Sequence, residues 1–190
     1  MENGKLHKAL NHATIQHLGK YSKVALRNIS NLKELVESQD YRYFAKELMN
    51  RFDISEHEIA QTRIRFEKQF NKFPGSYTIL YIKDPAYPKL LKQTADPPMF
   101  LYCQGDIDLF NTQGIAVVGS RKASDMGIKR ARKLATLLVA KGYTVISGLA
   151  KGIDATAHIG AIRAAGKTIA VIGTPLDKSY PKENLELQEY

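Results

Sequence analysis

Between Gly114 and Ile172 the apolar positions alternate between two kinds of spacing. Ile115-Ala116-Val117-Val118, Thr144-Val145-Ile146-Ser147 and Thr168 to Ile172 are short, nearly unbroken apolar runs. Such runs predict strands of a parallel sheet covered on both faces. Between the first two, Ile128, Ala131, Leu134, Ala135 and Leu138 recur every three or four residues. That spacing predicts a helix with one apolar stripe, and Lys129, Arg130, Arg132 and Lys133 cover its other side. Ser124 or Asp125 can cap it, it runs to Lys141, and Gly142 supplies a left-handed end. Asp154 is expected to cap a second helix that ends near Ala165-Gly166. Strand–helix–strand–helix–strand with tight connections predicts an α/β fold, a Rossmann-like parallel sheet over residues 111–190. A doubly wound sheet continues beyond three strands. The domain is therefore expected to be incomplete at its C-terminus and the chain to be a fragment or a truncated product.

Upstream, residues 1–72 read as a small all-helical domain of four or five short helices. Leu6, Leu10, His17 and Leu18 fall near helical spacing, and 31–37, 41–52 and 55–70 continue the pattern. Ser55 followed by Glu58 is a capping-box arrangement. Phe66, Phe70 and Phe73 mark one buried face. The run Phe73-Pro74-Gly75-Ser76 predicts a break, and 73–110 is expected to be a linker with lead-in strands. Thr78 to Ile82 and Met99 to Cys103 are the strand candidates, expected to flank the main sheet as an antiparallel addition. Pro85, Pro88, Pro97 and Pro98 prevent a continuous helix between them.

The sheet pattern places two glycine-bearing loops on one side. Parallel neighbours end together, so Val118-Gly119-Ser120-Arg121-Lys122-Ala123-Ser124 and Ser147-Gly148-Leu149-Ala150-Lys151-Gly152-Ile153-Asp154 are expected to face one crevice. Gly119 allows close backbone approach to a ligand, and Arg121 offers a planar fork of donors suited to phosphate. Ser120 can donate to a phosphate oxygen, while Ser124 reads as a cap. Successive N–H groups between Gly148 and Gly152 form an anion cradle. Lys151 between them reads equally as a phosphate contact or a solvated cation. Asp154 carries the wrong charge for a phosphate ligand and is expected to hold the loop's shape. His158, one turn further on, has no third partner or nucleophile and reads as structural. On the third loop Lys182, and after it Lys178, extend the basic rim. Tyr180 either stacks on a base or packs under the loop.

Composition adds a direction. The net charge is +9 and the hydrophobic fraction 44%, ordinary for a globular chain with acidic partners. Residues 111–190 carry 12 basic and 6 acidic groups, so the excess lies with the glycine loops. The single cysteine, Cys103, excludes an internal disulfide and a cysteine-rich zinc site. No His, Cys, Asp or Glu cluster has metal-ligand spacing, and no cofactor fingerprint is present. No apolar run approaches the roughly 20 residues of a membrane span, and residues 1–5 hold no apolar secretory core. A reducing cytoplasm fits this best.

Four blocks then carry a family resemblance. They are Gly119-Ser120-Arg121; Ser147 to Asp154 with Ala157-His158; Thr168 to Gly173; and Leu176-Asp177 through Tyr180-Pro181 to Asn184. In order and spacing they resemble the DNA-processing family DprA/Smf, and Asp84 to Leu91, Asp96-Pro97-Pro98 and Leu101-Tyr102 resemble its lead-in segment. The resemblance implies a single-stranded DNA-binding protein that protects incoming DNA and passes it to the RecA recombinase in natural transformation, and not an enzyme. It implies a helical accessory module of sterile-alpha-motif or helix-hairpin-helix kind, and a homodimer formed through the half of the domain this chain lacks. The alternative is a nucleotide-binding enzyme of the lysine-decarboxylase-like phosphoribohydrolase group, which has a similar first loop. That group carries Gly-Gly-Gly in the second loop, where this chain has Ser147-Gly148-Leu149-Ala150-Lys151-Gly152.

Overall fold

A computed structural model describes residues 2–19, 29–73 and 76–190. The chain divides into two compact units, one of residues 1–84 with 98–103 and one of 85–97 with 104–190. The break expected at Pro74-Gly75 lies outside the described residues.

The first unit contains α1 (Glu2–Leu18), α2 (Leu32–Glu37), α3 (Tyr41–Phe52) and α4 (Glu56–Phe70), followed by β1 (Tyr77–Tyr81). Asp40 caps α3 by accepting the N–H groups of Arg42 and Tyr43. Ser55 caps α4 by accepting that of Glu58, as the spacing predicts. Ile15, Leu35, Val36, Phe44, Leu48 and Ile59 form the buried centre.

Residues 73–110 divide between the two units instead of forming one linker. The two lead-in strands do not extend the main sheet. β1 pairs with β2 (Phe100–Gln104) in a sheet of their own. Aromatic packing accounts for this placement. Phe100 stacks on Tyr81 and lies against His12 of α1, while Tyr102 meets Phe70 and Phe73.

The second unit continues through the single turn α5 (Lys89–Lys92), a 3₁₀ turn at Ile107–Asn111, and β3 (Gly114–Ala116). Then follow α6 (Asp125–Ala140), β4 (Thr144–Ser147), α7 (Ile153–Arg163) and β5 (Thr168–Ala170), with a 3₁₀ turn at Lys182–Asn184 and α8 (Leu185–Glu189). The three strands are parallel in the order β3-β4-β5. Ser124 is the N-cap of α6, accepting the Gly127 N–H, and Gly142 has φ +80°.

Val117 and Val145 share one face of the sheet and pack with Ala135 of α6 and Ala157 and Ala161 of α7. The two helices approach closely because a Cβ on Gly160 would meet the Ala135 Cβ at 2.9 Å and the Arg132 carbonyl at 3.1 Å. Both crossovers of these three strands pack over this side. On the opposite face Val118 and Val171 are 69% and 65% exposed. Leu134, expected in the buried stripe of α6, is likewise exposed.

A candidate phosphate-binding crevice

The glycine loops meet where β3 and β4 end. Val117 still bonds to β4, its N–H donating to the Ile146 carbonyl, and the Ser147 hydroxyl reaches back to the Val117 carbonyl at 2.6 Å. Beyond that point the backbones are in direct contact. Gly152 has φ +80°, and a Cβ there would collide with the Ser120 carbonyl and lie 3.0 Å from that of Arg121. Only glycine fits both constraints. The Ile153 N–H donates to the Ser120 carbonyl, tying the start of α7 to the first loop.

Asp154 is the centre of this arrangement, although not in the way its position suggests. The N-cap of α7 is Gly152, so Asp154 stands inside the first turn. Its carboxylate, in a residue 7% exposed, accepts the Gly119 N–H at 3.3 Å and the Gly148 N–H at 3.2 Å. One carboxylate therefore joins the first residues of both loops. The N–H groups of Gly119 and Gly148 are therefore already engaged. Among the described residues the N–H groups of Ser120, Arg121 and Lys151 have no such partner. The Ser120 hydroxyl accepts from the Lys122 N–H at 3.0 Å, which fixes the turn and leaves its own proton to donate.

Arg121 is exposed and makes no ion pair among the described residues. Lys151 is ion-paired at the surface: its Nζ lies 2.5 Å from Glu183 Oε1, with the two side chains 56% and 63% exposed. That contact holds the Glu183 carboxyl below its usual range. Lys182 is exposed without an ion-pair partner among the described residues, and Tyr180 is 64% exposed, which leaves its ring face open.

The third loop is pinned over the second by Asn184, whose side-chain amide donates to the Leu149 carbonyl at 2.8 Å. Leu149 is buried with φ +61°, an uncommon conformation for a branched side chain that this bond helps to hold. Sequence reasoning placed Asn184 in its motif block without assigning it a role, and Glu183 was not singled out. The signal for Asn184 was its fixed place after Tyr180-Pro181. Nothing local marked Glu183.

His158 lies under the loops rather than in the crevice, at 1% exposure. Its Nδ1 is 2.7 Å from the Thr168 hydroxyl, which donates to the Val145 carbonyl, so the ring joins α7 to β5 and β4. Burial lowers its pKa, and Asp154 offsets this in part.

The crevice is thus a rigid, basic, solvent-facing rim with free backbone donors. Each oxygen of its buried carboxylate accepts one backbone N–H.

Comparison with known proteins gives this geometry a family. The family model for DNA recombination-mediator protein A matches residues 78–190. DNA processing protein DprA of Streptococcus pneumoniae is 47% identical over 123 residues, which cover 65% of this chain and 42% of that protein. Protein Smf of Borreliella burgdorferi is 33% identical over 157 residues, covering 83% of this chain and 48% of the relative. The chain spans about half the length, or less, of these curated relatives. The crystal structure of the S. pneumoniae protein superimposes with a TM-score of 0.63 at 29% identity, over 99% of this chain and 62% of that one. DNA processing protein A of Helicobacter pylori, whose structure was studied for its single-stranded DNA binding mode, gives 0.53 at 32% identity over 61% of this chain and 52% of that one. With its α/β fold, its four motif blocks and a match over residues 78–190, the chain belongs to the DNA recombination-mediator protein A family, that of DprA and Smf.

Proposed function

We propose that the crevice binds the sugar–phosphate backbone of single-stranded DNA. Arg121, the free N–H groups of Ser120 and Arg121, and Lys182 make the primary contacts. Tyr180 stacks on a base, and the exposed Lys129, Arg130, Arg132 and Lys133 face of α6 extends the track. The observation that carries this reading is an exposed arginine with no carboxylate partner among the described residues, standing on a loop that Asp154 holds rigidly against its neighbour. The single-stranded DNA binding of the H. pylori relative supports it.

In the whole protein, this site would protect incoming DNA and hand it to RecA during transformation and recombination, in the cytoplasm and from a homodimer. No turnover is expected. The phosphoribohydrolase reading is weakened by the second loop, which lacks that group's Gly-Gly-Gly, and by Asp154, whose two oxygens each accept a backbone N–H.

Fluorescence anisotropy of a labelled oligothymidine tests this. Affinity should fall with salt at a log–log slope of about −0.7 per neutralised phosphate. Arg121→Ala should abolish most of the binding. Equal binding by Arg121→Ala, or release of free base from AMP by the wild type, would overturn the proposal.

A further inference from the structure

Among the described residues, one acidic side chain on the crevice rim contacts a loop lysine, and it has no role in the binding just described. Glu183 is brought there by the main chain. The Asn184 amide ties its segment to the Leu149 carbonyl at 2.8 Å, and Glu183 Oε1 then lies 2.5 Å from Lys151 Nζ. Lys151 stands between Gly148 and Gly152, in the loop whose backbone meets that of Ser120 and Arg121. A phosphate drawn to Arg121 and the loop N–H groups would therefore meet a lysine already holding a carboxylate.

We propose that Glu183 is a built-in counter-ion that competes with DNA phosphate for Lys151, so that single-stranded DNA engages this loop by displacing it. This rests on the reading that the crevice takes phosphates. Two anions on one ammonium repel each other, so Glu183 opposes binding while it stays in place. Both partners are more than half exposed, so the pair itself is weak and displacement is graded. It is also screened, so the gate acts most strongly at low salt. Lys182, next to Glu183 in sequence and without an ion-pair partner among the described residues, remains open and gives an arriving strand its first hold. The device admits a polyanion that can use Arg121 and Lys182 at the same time, and disfavours isolated phosphate.

The test measures oligothymidine affinity at low and raised salt for the wild type, Glu183→Gln, Lys151→Met, their combination, and Arg121→Ala. Glu186→Gln serves as a control of equal charge change, because Glu186 makes no ion pair among the described residues. Glu183→Gln should bind roughly 1.5- to fivefold more tightly at low salt, the size of one exposed charge interaction. Its salt dependence should steepen by about 0.7 in slope as one more phosphate is neutralised. In the Lys151→Met background the same change should give no more than Glu186→Gln gives. A gain equal to that control, or one that persists undiminished without Lys151, overturns the proposal. Loss of binding in Arg121→Ala alongside a neutral Glu183→Gln removes only the role of Glu183. Unchanged binding in Arg121→Ala removes the crevice itself and this proposal with it. All variants alter exposed side chains, so circular dichroism should report an unchanged fold.

Discussion

Removing the Asp154 carboxylate separates two accounts of that residue. If it acts through charge, a buried anion beside a phosphate site opposes DNA, and Asp154→Asn should tighten binding. If it acts as a clamp, the same change should weaken binding, because the loops lose their common acceptor. The structure favours the clamp. The carboxylate accepts N–H groups from Gly119 and Gly148 at 3.3 and 3.2 Å in a residue 7% exposed. Asparagine keeps one acceptor oxygen and turns an amide N–H₂ toward the other glycine, so one part-buried N–H loses its acceptor, at a cost of up to about 1–3 kcal/mol. Alanine orphans both, for roughly 2–4 kcal/mol given the length of the two bonds. For a unit of this size about 2 kcal/mol corresponds to a fall of roughly 8–16 °C in midpoint. The assay pairs thermal unfolding by circular dichroism with oligothymidine anisotropy at a temperature where each variant is folded. The expected order of stability is wild type, then Asn, then Ala, with DNA affinity falling in parallel. An Asp154→Asn protein as stable as the wild type, or one that binds DNA more tightly, would refute the clamp.

Other expectations follow from single contacts. Gly152→Ala should lower stability by about 2 kcal/mol or more in urea titration, since φ +80° and the Ser120 carbonyl leave no room for a Cβ. Ser124→Ala should cost about 1 kcal/mol in the same titration, by removing the acceptor for the Gly127 N–H at the start of α6. Burial depresses His12 to a pKa of about 4 and lowers His158 as well, so the unfolded chain binds protons first. Their contribution is therefore complete above pH 6.5 and is lost as pH falls toward 4, by up to about 3 kcal/mol for His12. The urea midpoint should drop from pH 7 to pH 5, and less so in His12→Gln; a pH-independent difference between the two proteins would contradict this.

How much of this was legible in advance depended on the range of the interaction concerned. The order of strands and helices in residues 111–190, the Ser124 cap and the Gly142 end all rest on contacts within a turn or two, which periodicity and capping rules reach. The glycine loops were legible for the same reason, and a shared strand direction was enough to put them on one crevice. Tertiary structure alone decided what closes that crevice. Asp154 reads locally as a helix cap, yet its acceptors face an N–H 35 residues away as well as one six residues away. Lys151 reads equally as a phosphate contact or a solvated cation, and only the turn of the third loop brings Glu183, 32 residues on, to it. The lead-in strands β1 and β2 carry ordinary strand composition, and only the packing of Phe100 and Tyr102 on α1 and α4 determines which unit they join. Local pattern specifies elements because their hydrogen bonds are short-range. Which donor meets which acceptor is decided when crossovers bring distant loops together, and in this chain the rim of the proposed site is built from those meetings.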